Sequence, residues 1–272
     1  MDANQRKLHF HRVARVYDCT RDTDRSIINY LGGVFSKKTS PQHPVPDLAT
    51  GTARYPLALA STFGIHFIGV DENASMLAVA RRKAKKLKAA LAIVQGDCLF
   101  LDGTLDAYRP FSFATMFNAL HHFSNIPSIA YAIQSQLRPE SGRCYFYTRV
   151  DNDNAETIWG KYFPGFVERE KHYLEESSFP RSRLMLELCQ GGLAVQEWVR
   201  FVVLAEHTLD ELLEKVRARH FSTFCAYTPD ELEDALAVFS DRIQHAFPEA
   251  RNDPSYRIPY SSPMTLVVCT PR

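Results

Sequence analysis

Short apolar runs alternate with longer amphipathic segments in the part of the chain that begins near residue 45. Apolar residues at every third or fourth position predict helices, whereas brief runs rich in branched and aromatic residues predict buried strands. This alternation indicates βαβ units and a parallel sheet. The predicted strands are Val45–Leu48, His66–Val70, Ala92–Gln95, Phe111–Met116 and Arg143–Thr148, and the predicted helices are Arg54–Thr62, Ala74–Lys88 and Ile126–Leu137.

The segments on either side of this core carry different patterns. Residues Leu8–Leu31 have helical spacing, which the pair Gly32-Gly33 interrupts, so we predict a helical N-terminal cap that ends there. Residues Asp151–Phe179 are polar yet contain many aromatic side chains, which suggests a helical lid. Further helices are predicted at Arg183–Cys189, Thr208–Arg217 and Thr228–Phe247, and further strands at Val195–Val203 and Thr265–Cys269.

Together these elements predict an α/β fold: a doubly wound, Rossmann-like sheet of seven strands with a helical N-terminal cap and a helical lid insertion. We expect the last strand to insert antiparallel. We also expect a single domain in four segments, with the cap over residues 1–40 and the α/β core over 41–150. The lid and substrate-side elements follow over 151–225, and a C-terminal helix and strand over 226–272.

The composition fits a globular chain of enzyme size and argues against several other classes. The 272 residues carry a net charge of +1, so no overall basic field marks a nucleic-acid-binding protein. No stretch approaches the roughly 20 apolar residues of a membrane span, and the polar N-terminus lacks the apolar core of a signal peptide. The six cysteines stand singly, without the spacing of a zinc site. We therefore expect a cytoplasmic, soluble monomer or homodimer with reduced thiols.

Small residues occupy the turn between the first strand and the first helix of the core. The segment Asp47-Leu-Ala-Thr-Gly-Thr-Ala53 would let a ligand approach the backbone, as in many nucleotide-binding α/β folds, although such a turn also occurs without a ligand. The carboxylate of Asp47 would repel a pyrophosphate but attract a ligand that carries an ammonium and a sulfonium. This sign favours S-adenosylmethionine over a dinucleotide.

Two more acidic residues follow the next two strands. Asp71 ends the second strand about 20 residues beyond the turn, where a carboxylate can accept both ribose hydroxyl protons, as it also does in dinucleotide-binding enzymes. Asp97 follows the third strand and can accept a hydrogen bond from an adenine amino group. Each acid taken alone is equally consistent with a helix N-cap. Because ligands of doubly wound sheets bind beyond the carboxyl ends of the strands, we expect the three acids to converge on one crevice.

Over nearly its whole length, the sequence resembles the class I S-adenosylmethionine-dependent methyltransferases. It is most similar to the small-molecule group typified by ubiquinone/menaquinone-biosynthesis and trans-aconitate methyltransferases, the type 11 family. Five segments carry the resemblance. Asp47–Ala53 resembles the family's Asp-Leu-Gly-Cys-Gly-Thr-Gly turn, Gly69-Val70-Asp71 its ribose motif, Gly96-Asp97 its adenine motif, Asn118–His122 the end of its fourth strand, and Val13–Asp18 its N-terminal Ala-x-x-Tyr-Asp element.

The resemblance implies a role for the matching residues. The chain departs from the family at Ala49 and Ala53, which replace two glycines. Because a methyl group is tolerated there only at negative φ, we expect a slightly displaced turn. By the resemblance, Asp47 and Gly51 hold the methionine part of the cofactor, and Asn118 holds the methionine end through its backbone. Asp71 holds the ribose, Met76 contacts the adenine face, and Asp97 and Cys98 contact the adenine edge. Tyr17 closes over the cofactor, and Ala49, Thr50 and Glu72 are further contacts.

Methyl transfer from a sulfonium is an in-line displacement that needs alignment and the exclusion of water, but no protein nucleophile. His121 and His122, just beyond the fourth strand, are the candidate bases for a hydroxyl or protonated amine acceptor. The alternative is that one caps the following helix while the other packs under the lid. A metal site is disfavoured, because His9 and His11 could join these two histidines only if the N-terminal cap folds across. Since no carboxylate cluster suggests Mg²⁺, we expect no metal.

Three kinds of function stay open. The leading hypothesis is a small-molecule acceptor, methylated on oxygen, nitrogen or carbon. The basic run Arg81–Lys88 allows an RNA or protein acceptor, but a solvated helix face is the simpler interpretation. The two alanines of the turn also permit a cofactor-binding protein without turnover, acting as a sensor or partner subunit. Aromatic residues of the lid either stack on the acceptor or pack in an ordinary core: Trp159, Tyr162, Phe163, Phe166 and Tyr173.

Overall fold

The computed structural model describes residues 14, 17–20, 23–101, 103, 105–173, 179–219 and 221–272. Its helices are α1 (Arg25–Phe35), α2 (Arg54–Phe63), α3 (Ala74–Leu87), α4 (Ile126–Gln134), α5 (Ile158–Tyr162), α6 (Phe166–Tyr173), α7 (Arg181–Gln190), α8 (Leu209–Arg217), α9 (Pro229–Ala246) and α10 (Glu249–Asn252). Its strands are β1 (Val45–Leu48), β2 (Phe67–Asp71), β3 (Leu91–Gln95), β4 (Phe113–Phe117), β5 (Arg143–Thr148), β6 (Leu193–His207) and β7 (Ile258–Pro271). Turns of 3-10 helix cover Tyr17–Thr20, Asp106–Tyr108, Leu120–His122 and Ser222–Ala226.

In the described part of the chain, seven strands form one mixed sheet in the order β3-β2-β1-β4-β5-β7-β6. Strands β1 to β5 are parallel, and Asp47 on β1 lies opposite Gly69 on β2 and Thr115 on β4. Strand β7 inserts antiparallel beside β5, where Cys144 faces Cys269. The strand order reverses between β1 and β4, which is where ligands bind in doubly wound sheets. The predicted seven-stranded α/β fold with an antiparallel last strand is confirmed.

Capping residues mark the starts of several helices. Thr208 precedes α8 and forms a capping box with Glu211, and Thr228 does the same with Glu231 at the start of α9. In each box the threonine side chain accepts a backbone N–H, and the glutamate accepts the N–H of the threonine in return. Asn73 caps α3 by accepting two backbone N–H groups of its first turn. These caps fix the starts of three helices, one of which borders the site described below.

The predicted N-terminal helix over Leu8–Leu31 is only partly present. Helix α1 begins after its N-cap Asp24, and a separate 3-10 turn precedes it. The prediction that Gly32-Gly33 ends this helix is wrong, because α1 continues past both glycines. Gly32 makes room for the ring of Phe63, since a Cβ atom at Gly32 would lie 2.3 Å from a ring carbon. The glycine therefore serves helix packing, and the residues outside the described part of this segment are 8–13, 15, 16, 21 and 22.

The chain divides into two compact units. The first comprises Met1–Thr148, Pro180–Phe201 and Thr265–Arg272, and the second comprises Arg149–Phe179 and Val202–Met264. The segment boundaries expected from the sequence, with one domain overall, stay a prediction.

Aromatic residues of the predicted lid build the core of the second unit. Helices α5 and α6 confirm that this insertion is helical. The indole of Trp159 stacks on the ring of Phe239, with centroids 5.4 Å apart and an interplanar angle of 26°. The rings of Phe163 and Phe166 lie 5.0 and 5.4 Å from that of Phe224. All three lid residues are buried, so the structure favours ordinary packing over the stacking of an acceptor on these rings.

Candidate active site

The turn between β1 and α2 has a left-handed backbone at three positions. The φ angle is +53° at Ala49, +56° at Gly51 and +56° at Ala53. The expected negative φ at the two alanines is therefore wrong, and each left-handed alanine costs about 1–2 kcal/mol. Contacts with neighbouring strands hold the turn in this form. The N–H of Ala49 donates to Sγ of Cys98 at 3.1 Å, and the N–H of Gly51 donates to the carboxylate of Asp71 at 2.8 Å.

Asp47 precedes this turn on β1, and only 1% of its surface is exposed. The hydroxyl of Thr115, opposite it on β4, donates to the carboxylate at 2.8 Å. Burial raises the pKa of Asp47 to about 7, although the hydrogen bond from Thr115 opposes this shift. Protonation of Asp47 therefore falls in the neutral pH range, and a cation bound beside it would favour its charged form.

Asp71 and Asp97 follow the neighbouring strands. The two carboxylate oxygens of Asp71 accept the N–H groups of Gly51 and Asn73, each at 2.8 Å. Burial raises the pKa of Asp71, and these two hydrogen bonds oppose the shift. Asp97 is exposed and accepts a local backbone N–H at 2.9 Å. Its neighbour Cys98 is buried, which raises the pKa of the thiol and keeps it neutral.

These side chains line a single cavity of about 350 Å³ in the first unit. This volume is typical of sites for small molecules and cofactors. Every residue that the sequence predicts as a cofactor contact lines it: Tyr17, Asp47, Ala49, Thr50, Gly51, Asp71, Glu72, Met76, Asp97, Cys98 and Asn118. The expected convergence of the three acids is therefore observed, while the contact that each residue makes with a cofactor stays a prediction.

The two candidate bases occupy different positions. His122 belongs to the described residues that line the cavity, and His121 does not. The two rings contact each other, with centroids 4.0 Å apart and an angle of 54°. The alternative that one histidine caps the next helix is wrong, because Asn125 is the N-cap of α4 and accepts the N–H of Ser128 at 2.9 Å. Of the two histidines, His122 is thus the stronger candidate for a base.

Comparison with known families agrees with this geometry. A family profile described as a methyltransferase domain matches residues 45–140. The chain contains a methyltransferase domain. The matched residues include the left-handed turn, the ends of β2 and β3, and both histidines. No curated protein matches the sequence.

Solved structures share the fold of this methyltransferase domain at low sequence identity. The YcgJ protein of Bacillus subtilis is 18% identical with a TM-score of 0.57, and the match covers 90% of this chain and 97% of that one. A SAM-dependent methyltransferase from Geobacter sulfurreducens in complex with S-adenosylhomocysteine is 16% identical with a TM-score of 0.51, covering 90% of each chain. Geranyl diphosphate C-methyltransferase from Streptomyces coelicolor is 12% identical with a TM-score of 0.53, covering 91% and 79%. The profile and the fold confirm the resemblance to the class I S-adenosylmethionine-dependent methyltransferases.

Some lining residues of the methyltransferase domain are not predicted from the sequence. Tyr55 in α2 stacks on Phe117 at the end of β4, with ring centroids 4.6 Å apart and an angle of 11°. The guanidinium carbon of Arg54 lies 4.9 Å from the centroid of the Tyr55 ring. Among the described lining residues, Arg54 is the one lysine or arginine. No motif joins these residues, because α2 and β4 are far apart in the sequence; the one available clue is that Arg54 directly follows the small-residue turn.

Neither a metal site nor a membrane-spanning helix occurs among the described residues. Within the described ranges, no group of three or more His, Cys, Asp or Glu side chains is arranged to hold a metal ion. No helix among the described residues is both long and apolar enough to cross a membrane. His9 and His11 lie outside the described residues. The cytoplasmic location and the monomeric or dimeric state stay predictions.

Proposed function

We propose that the cavity binds S-adenosylmethionine and that the protein transfers its methyl group to a small-molecule acceptor. The observation that supports this most is the row of carboxylates at the ends of adjacent strands, Asp47, Asp71 and Asp97, around a single cavity. An ammonium and a sulfonium complement this negative charge, whereas the pyrophosphate of a dinucleotide would be repelled by it. This set of carboxylates therefore fits S-adenosylmethionine better than it fits a dinucleotide.

Each part of the cofactor has a matching group in the cavity. Both oxygens of Asp71 keep lone pairs that can accept ribose hydroxyls, because an ionised carboxylate has about four acceptor sites. The guanidinium of Arg54 can pair with the methionine carboxylate through two parallel hydrogen bonds. The buried thioether of Met76, in the first turn of α3, offers an apolar surface to the adenine ring.

The rest of the cavity serves the transfer step. S-adenosylmethionine would supply a methyl group on a positively charged sulfur, to which the acceptor bonds in line as the carbon–sulfur bond breaks and S-adenosylhomocysteine leaves. The stacked rings of Tyr55 and Phe117 exclude water from one wall of the cavity. The imidazole of His122 takes the proton that a hydroxyl or ammonium acceptor loses during transfer.

A small acceptor agrees with the net charge of +1, which provides no overall basic field for a polyanionic acceptor. The geranyl diphosphate C-methyltransferase that shares the fold also acts on a small molecule, as its name states. The decisive experiment is to incubate the protein with S-adenosylmethionine carrying a deuterated methyl group and fractions of a cell extract. Label in the metabolite fraction supports the proposal, label in RNA or protein favours a macromolecular acceptor, and binding without any transfer favours a sensor.

Replacement of His122 tests the assignment of the base. His122→Ala should slow transfer to a hydroxyl or amine acceptor roughly 10²- to 10⁴-fold, while the affinity for S-adenosylhomocysteine stays unchanged. His121→Ala is the matched control and should slow the reaction by less than about tenfold, since its ring contacts His122 without lining the cavity. Equal losses in the two variants, measured as initial rates with the identified acceptor, would argue against His122 as the base.

Cofactor binding should release a proton from Asp47. Without ligand its pKa is about 7, and the ammonium of the cofactor favours the charged form, so binding near pH 6 expels the proton that the carboxyl holds. Calorimetric titration with S-adenosylhomocysteine in buffers of different ionisation enthalpy measures this release. Binding at about pH 6 with no buffer dependence would contradict the predicted role of Asp47.

The same pKa shift predicts how stability depends on pH. The pKa of Asp47 is about 7 in the folded protein and about 3.9 in the unfolded chain. Its favourable contribution to the free energy of unfolding is therefore complete below about pH 4 and is lost as the pH rises through 7. Asp47→Asn stays neutral and can still accept the hydroxyl of Thr115. The unliganded variant should therefore melt at a higher temperature than the wild type above about pH 7, and bind S-adenosylhomocysteine without releasing a proton.

A further inference from the structure

A closed network of polar contacts joins the N-terminal turn Tyr17–Thr20 to the turn after β1. Lys83 in α3 forms an ion pair with Asp18 and donates to the backbone carbonyl of Thr52 at 2.9 Å. The hydroxyl of Thr52 donates to the second carboxylate oxygen of Asp18 at 2.6 Å. Each of the three residues thus contacts the other two, and together they link three separate parts of the first unit.

Lys83 differs in this respect from its neighbours in the basic run. Its side chain is 29% exposed, whereas Arg82, Lys85 and Lys86 are exposed residues. An exposed ion pair contributes little to stability. The ammonium of Lys83, however, also donates a hydrogen bond to the carbonyl of Thr52, and its partner Asp18 also accepts the hydroxyl of Thr52. The interpretation of the run as a solvated helix face therefore applies to its exposed members and not to Lys83.

Both ends of the network border the cavity. Tyr17, the neighbour of Asp18, lines it, and so does Thr52. Thr52 stands directly before Ala53, which has a left-handed φ of +56°. A strained residue of this kind persists only where the surroundings hold it, and the hydrogen bond from Lys83 holds the carbonyl that precedes it.

We propose that Asp18, Thr52 and Lys83 form a latch, which keeps Tyr17 against the cavity and the turn after β1 in its cofactor-binding shape. The inference rests on the proposed function, because the ligand that the latch retains is the cofactor. Asp18 and Lys83 are positioning residues: they act through Tyr17 and the turn. Loss of the latch leaves the carboxylates of the cavity in place but lets the cofactor leave faster.

Titration of the full chain with S-adenosylhomocysteine tests the latch, with Lys86→Met as the control from the same helix. Asp18→Asn and Lys83→Met should each raise the Kd about tenfold, the loss expected for one charge-assisted hydrogen bond. The double variant should lose no more than either single variant, because both break the same network. Lys83→Arg keeps the charge and the donors and should stay within about threefold of the wild type.

Hydrogen exchange and melting temperature separate the latch from a purely structural role. In the wild type, bound S-adenosylhomocysteine should slow amide exchange in residues 17–20, and in Lys83→Met this protection should be lost while the ligand is saturating. A variant that melts earlier but keeps the wild-type Kd and protection would overturn the latch, as would additive losses in the double variant. If the wild type does not bind S-adenosylhomocysteine, both the proposed function and the latch are wrong. If the wild type binds the ligand, and Lys83→Met binds it as tightly as Lys86→Met does, the latch is wrong and the proposed function stands.

Discussion

Asp71→Ala should weaken the binding of S-adenosylhomocysteine at least about a hundredfold. The substitution removes the acceptor for the ribose hydroxyls and also leaves the N–H groups of Gly51 and Asn73 without their carboxylate. A hydrogen bond to a charged group contributes about 1.5–3 kcal/mol, so the loss of two such bonds amounts to about 3 kcal/mol or more. Isothermal titration calorimetry measures the effect, with the melting temperature recorded for each variant.

Asp97→Ala is the matched comparison, since Asp97 lines the same cavity but is exposed. Hydrogen bonds that compete with water contribute less, so this variant should lose no more than about tenfold in affinity. An Asp71→Ala variant that folds and binds as tightly as the wild type would remove the ribose assignment. A larger loss at Asp97 than at Asp71 would mean that the main anchor of the cofactor lies on the adenine side.

Trp159→Ala should destabilise the protein by about 3–5 kcal/mol without changing the affinity for S-adenosylhomocysteine. The indole is 3% exposed and packs against Phe239 and Phe224 in the core of the second unit. Alanine would leave a large cavity there, while the carboxylates that we propose to bind the cofactor belong to the first unit. Urea denaturation measures the loss of stability, and calorimetry measures the binding.

The other tryptophan provides the control. Trp198 on β6 is only partly buried, so Trp198→Ala should cost about 1 kcal/mol. If Trp159→Ala keeps its stability but loses methyl transfer with an unchanged affinity for S-adenosylhomocysteine, the indole acts on the acceptor and not in the core. The two variants together therefore decide between packing and stacking for the aromatic insertion.

The strand ends were predictable from the sequence for a physical reason. Strands that are buried on both faces produce apolar runs, and the predicted bounds of β5 match the structure. In a parallel sheet, the residues at and just beyond the carboxyl ends of the strands meet at one edge. The assignment of Asp47, Asp71 and Asp97 to one crevice therefore follows from the sequence, and all three line one cavity.

Predictions from the conformational preference of a single residue failed where contacts from distant parts of the chain determine the local backbone. The alanines at 49 and 53 keep a left-handed φ because side chains from other strands and from α3 hold the turn. Gly32 was predicted to end a helix, but it makes room for Phe63. Neither outcome can be deduced from local propensity, since the deciding partner lies elsewhere in the chain.

Contacts between elements that are distant in the sequence were the least predictable part of the site. The stack of Tyr55 on Phe117 and the contacts of Lys83 join elements that are far apart in the sequence. A charge run on a helix predicts solvent exposure, and only the fold shows which lysine turns to a partner. The role of the aromatic residues in the insertion was equally hard to predict, because composition alone does not distinguish a buried core from a binding surface.

Titration of the wild-type chain with S-adenosylhomocysteine tests the central claim most directly. The account predicts saturable binding of about one ligand per chain with a Kd in the micromolar range, since one cavity carries the complementary groups. It also predicts proton release near pH 6, about one unit below the pKa of about 7 at Asp47. No detectable binding by the folded protein at millimolar ligand would contradict the assignment of the cavity to S-adenosylmethionine.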